Sequence, residues 1–278
     1  MLLPFDTHVH TCYSPCARDL DGAGQPLASP ERYLSRATEL GLRAIVFTDH
    51  CVEDPSAPGA VPFYESSGLG VISALRGELA GFLLTDLCQV YLGCETETMS
   101  TEWVGITPRA AANLDFVLVP TTHYHLPGVP QPASFAPADV AEHMLIMLAS
   151  VVSKGWLDSV AHPFCEAESL IGDLRRIYDA LDKAWLTDIL GFAAHNGVAL
   201  EVNGSSVTSV YEPHYALVYR EIVQLAKSLG VRFTFGSDAH DARNLGLTPE
   251  AETWIISAGL TMQDFLTPAQ LQAKRGGM

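Results

Sequence analysis

At 278 residues the chain has the length of one large α/β domain or two small ones, and it can bury a full apolar core. Its 32 Asp and Glu outnumber 16 Lys and Arg, for a formal net charge of −16 and a pI near 4.9, which opposes non-specific binding to nucleic acid or an anionic membrane. A hydrophobic content of 48% and a mean hydropathy of +0.17 indicate a folded globule, and no apolar stretch is long enough to span a bilayer. The six cysteines are scattered through a chain too large to need disulfides and read as free thiols. Met1-Leu2-Leu3-Pro4 runs straight into Asp6 and His8 with no signal peptide. A soluble, cytoplasmic protein is expected.

Phe5-Asp6-Thr7-His8-Val9-His10 reads as a first strand. Alternate strand residues share a side, so His8 and His10 project together, and two such imidazoles make half of a transition-metal site. Residues 11–29 form a loop that ends at Ser29-Pro30, an N-cap followed by proline in the first helical turn. Tyr33, Ala37 and Leu40 keep a helical period until Gly41 stops it. Residues 43–47 are a buried strand ending in Thr48-Asp49-His50. Residues 54–70, rich in Pro, Ser and Gly, form a candidate lid. A helix over 71–84 leads to a strand over 89–93, which ends in Cys94-Glu95-Thr96-Glu97.

The pattern then repeats. Residues 116–119 form a buried strand ending in Thr122-His123-Tyr124-His125. A helix opens on Pro137 and runs to 152, with Val140, Met144, Leu148 and Val151 on one face. Ser159-Val160-Ala161 leads into His162-Pro163, and residues 173–194 are expected to be helical. A strand over 198–202 ends in Asn203-Gly204, and a helix follows with Val218, Ile222, Leu225 and Leu229 in register. Residues 232–235 lead to Gly236-Ser237-Asp238-Ala239-His240 before a C-terminal helical region.

Seven strand-then-helix units with no break in composition imply one domain over residues 1–278, with parallel strands and right-handed crossovers. Such units build either a closed barrel or an open doubly wound sheet. An open sheet gathers its polar groups at one switch point, whereas a barrel draws them from many strand ends around one mouth. Here His8, His10, His50, Glu95, His123, His162, Asn203, Asp238 and His240 follow strand ends in all seven units. The barrel is therefore expected. A buried set of this kind would be costly without a metal. His143, His195 and His214 lie on helices or an outer loop and read as ordinary. Cys51 and Cys94 alternate to the other side and read as structural. Glu97 shares a side with Glu95, as a possible ligand or, more simply, a solvated loop carboxylate.

In order, His8-Val9-His10, Thr48-Asp49-His50, Gly93-Cys94-Glu95, His123, His162-Pro163 and Ser237-Asp238-Ala239-His240 resemble the motifs of the polymerase and histidinol phosphatase (PHP) family, over nearly the whole chain. The resemblance implies a distorted (β/α)7 barrel with two or three divalent ions (zinc, iron or manganese) at its mouth. It implies that His8, His10, Glu95 and Asp238 hold one ion. Glu95 would bridge to a second ion held by His123 and His162, and His50, His240 and a first-loop residue would hold a third. Histidinol phosphatases place a histidine at that loop position, where this chain has Cys16. A thiolate is a good zinc ligand at about 2.3 Å, so Cys16 is either the third site's ligand or a free loop cysteine.

Closely spaced divalent ions lower the pKa of a bridging water and clamp the oxygens of a phosphoryl displacement, so no side-chain nucleophile is needed. Glu95, Asp238 and His240 are the candidate catalytic residues. Arg18 and Arg243 are candidates for the phosphate, and Asn203 and His125 for the rest of the substrate. The leading function is hydrolysis of a small soluble phosphate monoester, with histidinol phosphate the first candidate. The alternatives are a phosphodiesterase or nuclease, which the acidic charge disfavours for polynucleotides, and a non-catalytic metal-stabilised binding module. The oligomeric state is left open.

Overall fold

A computed structural model describes residues 3–57, 60–81 and 88–276. Its seven strands are β1 (Phe5–Val9), β2 (Ala44–Phe47), β3 (Gln89–Glu95), β4 (Phe116–Pro120), β5 (Ser159–Ala161), β6 (Ala199–Asn203) and β7 (Phe233–Gly236). They lie side by side in chain order, every neighbouring pair parallel. Runs such as Ala-Ile-Val-Phe in β2 are buried along their whole length, as parallel strands covered by helices must be.

The sheet curls into a nearly closed barrel, and β1 meets β7 through few backbone hydrogen bonds. A bridge joins Val9 to Ala239, His10 N donates to Ala239 O (3.0 Å), and Asp238 N donates to His8 O (2.9 Å). Buried Asp6 supplies much of the rest of this seam. Its carboxylate accepts from the backbone N–H groups of Ser237 (3.0 Å) and Gly246 (2.9 Å). This is the expected (β/α)7 architecture.

Local signals explain most of the helices. Ser29 caps Pro30–Leu40, and Gly41 ends it in the left-handed conformation at φ 67°. Pro137–Val152 buries Val140, Met144, Leu148 and Val151, as its period requires. The helix expected over 71–84 runs over Gly70–Leu79, and residues 82–84 of its expected span lie outside the described residues. The helical stretch expected over 173–194 is divided into two helices, Leu174–Ala180 and Lys183–Asn196. The break has a plain cause: Asp182 turns its side chain onto the N–H groups of Ala184 and Trp185 and starts the second helix afresh.

Beneath the barrel the C-terminal helix Pro268–Gly276 is tied in by Arg275. Its Nε donates to Asp158, just before β5, at 2.6 Å, and its Nη1 to Ala111 O at 2.7 Å. That anchor sits at the end of the strands away from the histidines. Among the described residues no helix is long and apolar enough to cross a membrane.

Candidate metal centre

The carboxyl end of every strand delivers at least one polar side chain to the mouth. β1 carries His8 and His10 on one side, as strand alternation requires. The Nε2 atoms of the two rings are 2.9 Å apart. Glu95 Oε2 lies 3.4 Å and 3.3 Å from these nitrogens, and Asp238 Oδ1 lies 3.5 Å and 3.3 Å from them. The other oxygen of Glu95 faces the opposite way, 3.1 Å from His162 Nε2 and 3.7 Å from His123 Nε2. One carboxylate at the end of β3 thus stands between two sets of imidazoles.

Donor atoms of His8, His10 and Glu95 lie within 4.8 Å of one another, as do those of Glu95, His123 and His162, and those of His10, Cys16 and His240. The first two triads are buried, and all three could hold metal ions. Imidazole, carboxylate and thiol donors suit zinc and the other first-row divalent ions. His50 stands slightly apart. Its Nδ1 faces Glu95 Oε2 at 3.2 Å and the Tyr64 hydroxyl at 3.2 Å, and its ring stacks on His10 at 4.5 Å between centroids.

The electrostatics match these distances. Burial pushes the Glu95 carboxyl up, but His50, His8 and hydrogen bonds from His10 and His162 hold it well below the usual range. Asp238 is held low in the same way, against burial, by His8, His10 and His240. Burial and the neighbouring His10, His123 and His240 push His50 well down against the pull of Glu95, whereas Glu97 overrides burial at His123 and raises it to about 10. Two ligand candidates also occupy backbone regions that side chains avoid: His162 at φ 26° and Asp238 at φ 58°. Such strain persists where the surroundings fix a side chain's direction.

Behind these residues stands a second tier, of which the sequence singled out only Glu97. Glu201 in β6 faces His8 Nδ1 at 2.8 Å. Glu97 faces His123 Nδ1 at 2.8 Å and is buried, so the expectation of a solvated loop carboxylate is wrong. Ser14 Oγ meets His10 Nδ1 at 3.2 Å and donates to Asp49 at 2.7 Å. One available signal was an isolated acid within an apolar strand, as in Ala-Leu-Glu-Val-Asn of β6. A charge there must be paired. Cys51 and Cys94 are fully buried in the apolar core, as expected.

The four candidates for substrate contact are dispersed. His125 lines the mouth cavity of ≈ 170 Å³ with Cys16, Phe63 and Glu166, and its Nδ1 lies 2.7 Å from Glu166. Asn203 is buried behind the cluster, donating to Glu201 (3.2 Å) and Asp238 (3.3 Å). Arg18 is directed at Ser66 Oγ (3.3 Å), and the exposed Arg243 guanidinium closes on Asp241 (2.5 Å). No described residue lining the cavity is Lys or Arg. Of the candidate lid over 54–70, Phe63 reaches the cavity, while residues 58 and 59 lie outside the described residues.

No family model matches the chain. A protein of Vibrio campbellii named a probable phosphatase is 27% identical over 90% of this chain and 84% of its own length. A probable phosphatase of Vibrio vulnificus is 25% identical over 98% and 92%. Among solved structures, the histidinol phosphate phosphatase of Lactococcus lactis, complexed with zinc, L-histidinol and phosphate, superimposes with a TM-score of 0.56. It covers 92% of this chain and 94% of its own at 19% identity. The chain has a PHP-like fold. A chain of archaeal ribonuclease P with mature tRNA has the same fold, with a TM-score of 0.52 at 14% identity over 98% of this chain and 91% of its own. The PHP-like barrel therefore does not by itself choose between substrates.

Proposed function

We propose that this PHP-like protein is a metal-dependent phosphatase that hydrolyses a small phosphate monoester, with histidinol phosphate the first substrate to try. The observation that carries the proposal is Glu95, one buried carboxylate with each oxygen facing a different set of histidines. His8, His10, Glu95 and Asp238 would hold one ion, and Glu95, His123 and His162 a second. Cys16, His240 and His10 or His50 would hold a third. Bound there, divalent ions would activate water and neutralise the charge developing on the phosphoryl oxygens.

The protein's own groups support this reading in three ways. The cavity wall has no Lys or Arg among its described residues, so a dianionic ester must meet its countercharge at the ligand cluster. The acidic Glu166, backed by His125, lines the same cavity and would repel additional anionic groups on the substrate. The net charge of −16 makes a polynucleotide a poor partner. Asp238 and His240 reach the mouth on the loop after β7, where they would orient the ester through the ions they hold.

The test is phosphate release from a panel of small phosphomonoesters by zinc-, manganese- or iron-loaded protein, alongside a nuclease assay on the same preparation. Turnover of phosphomonoesters, abolished in Glu95→Ala, is expected. Cleavage of oligonucleotides without phosphate release would replace the proposal with the phosphodiesterase reading. Metal binding with neither activity would favour a binding module.

A further inference from the structure

Two histidines of the cluster are backed by buried carboxylates that the hydrolytic reading leaves without a role. Glu201 Oε1 lies 2.8 Å from His8 Nδ1, while its Oε2 accepts from His162 N at 2.7 Å and from Asn203 Nδ2 at 3.2 Å. Glu97 Oε2 lies 2.8 Å from His123 Nδ1 and 3.3 Å from the Tyr64 hydroxyl, and its Oε1 accepts from Thr98 N at 2.9 Å. Each of the two buried triads thus has one histidine with a carboxylate behind it. In the third group, His10 Nδ1 meets a serine hydroxyl and His240 Nδ1 a backbone carbonyl.

A carboxylate accepts and does not donate, so Nδ1 of His8 and of His123 must carry the ring proton. With an ion bound the ring would be neutral and keep this one proton, which leaves Nε2, on the side towards Glu95, to offer its lone pair to the ion. The carboxylate also makes the ring a stronger donor, and loss of such a partner costs on the order of 10–100-fold in metal affinity. We propose that Glu201 and Glu97 are positioning residues that set the donor nitrogens of His8 and His123 and make the two buried triads the tight ion sites. This inference rests on the metal-dependent reading above.

Replacement by glutamine tests it without changing side-chain size. At Glu201 two donors, His162 N and Asn203 Nδ2, demand an oxygen in the Oε2 position, so the amide nitrogen of Glu201→Gln must face His8. His8 Nδ1 then has to accept, and the ring proton moves to Nε2, where an ion would sit. Thr98 N imposes the same choice on Glu97→Gln, turning its amide nitrogen to His123. Cobalt- and zinc-loaded wild-type and variant proteins would be compared by chelator competition, ion counting and the visible spectrum of cobalt. The melting of the chelated proteins would report the fold.

Each variant is expected to bind one ion roughly 10–100-fold more weakly and to shift one component of the cobalt spectrum, with the remaining ions held as in wild type. The chelated proteins should melt together. Unchanged affinities and spectrum in both variants would overturn the proposal. So would equal weakening of every ion together with an earlier melt of the chelated variants, which is what a merely structural role predicts. If wild type binds no divalent ion, the hydrolytic reading itself fails.

Discussion

Cys16 has two possible lives, and its surroundings separate them. Its sulfur lies within 4.8 Å of donor atoms of His10 and His240. Although the residue is exposed, desolvation by its neighbours and the charges of Glu95 and Asp238 push its thiol up, so a thiolate is favoured there beside a cation. Cys16→Ser would leave a weak neutral hydroxyl, so the expected result is one ion fewer per chain with reduced phosphate release. Cys16→His should largely restore both, because imidazole can serve the same ion. Full ion content in the serine variant would leave Cys16 a bystander. Histidines and acids at strand ends were legible as a set, because strand alternation dictates which of them point together. The roles of the carboxylates behind them were not. Glu201 looks like an isolated acid until the fold places it against His8. The reach of Arg18 and Arg243 was not legible either, since no periodicity fixes the direction of a loop side chain.

The strands were readable because apolar runs of four or five residues bounded by turn residues have few alternatives, and Pro137 and Ser29-Pro30 announce helix starts. The break before Lys183 was hidden because residues 173–194 keep an unbroken helical period, while a single aspartate decides the matter by capping. Gly236, the last residue of β7, shows how far strand placement serves the site. A Cβ there would fall 2.2 Å from Glu201 Oε1 and 2.2 Å from His8 Cβ. Both neighbours are fully buried and cannot step aside. Gly236→Ala should therefore destabilise the fold by roughly 1–3 kcal/mol, the usual range for overpacking, and weaken the ion at His8. Denaturant unfolding and ion counting check this. An alanine variant with wild-type stability and ion content would show that β1 and β7 can part without harm.

Across the whole molecule, the candidate ligands come from the ends of six of the seven strands, with Glu201 of β6 behind them. Bound ions would accordingly cross-link the barrel at its mouth, including the seam where β1 and β7 share few backbone hydrogen bonds. The opposite end has its own tie through Arg275 and Asp158. Ions that bind only the folded chain stabilise it by mass action, about 2.7 kcal/mol for one site at a free concentration one hundred times its Kd. For a domain of this size that corresponds to a Tm shift of roughly 5–10 °C. Chelation should therefore lower Tm by at least this amount, and re-addition of zinc should restore it. The loosening should also be local. Amide exchange should accelerate at residues 8–10 and 237–240, while residues 157–160, near the Asp158 anchor, keep their protection. If the ions are removed and neither Tm nor exchange at the seam changes, the barrel closes through Asp6 and its neighbours alone. The metal cluster would then serve chemistry without holding the fold.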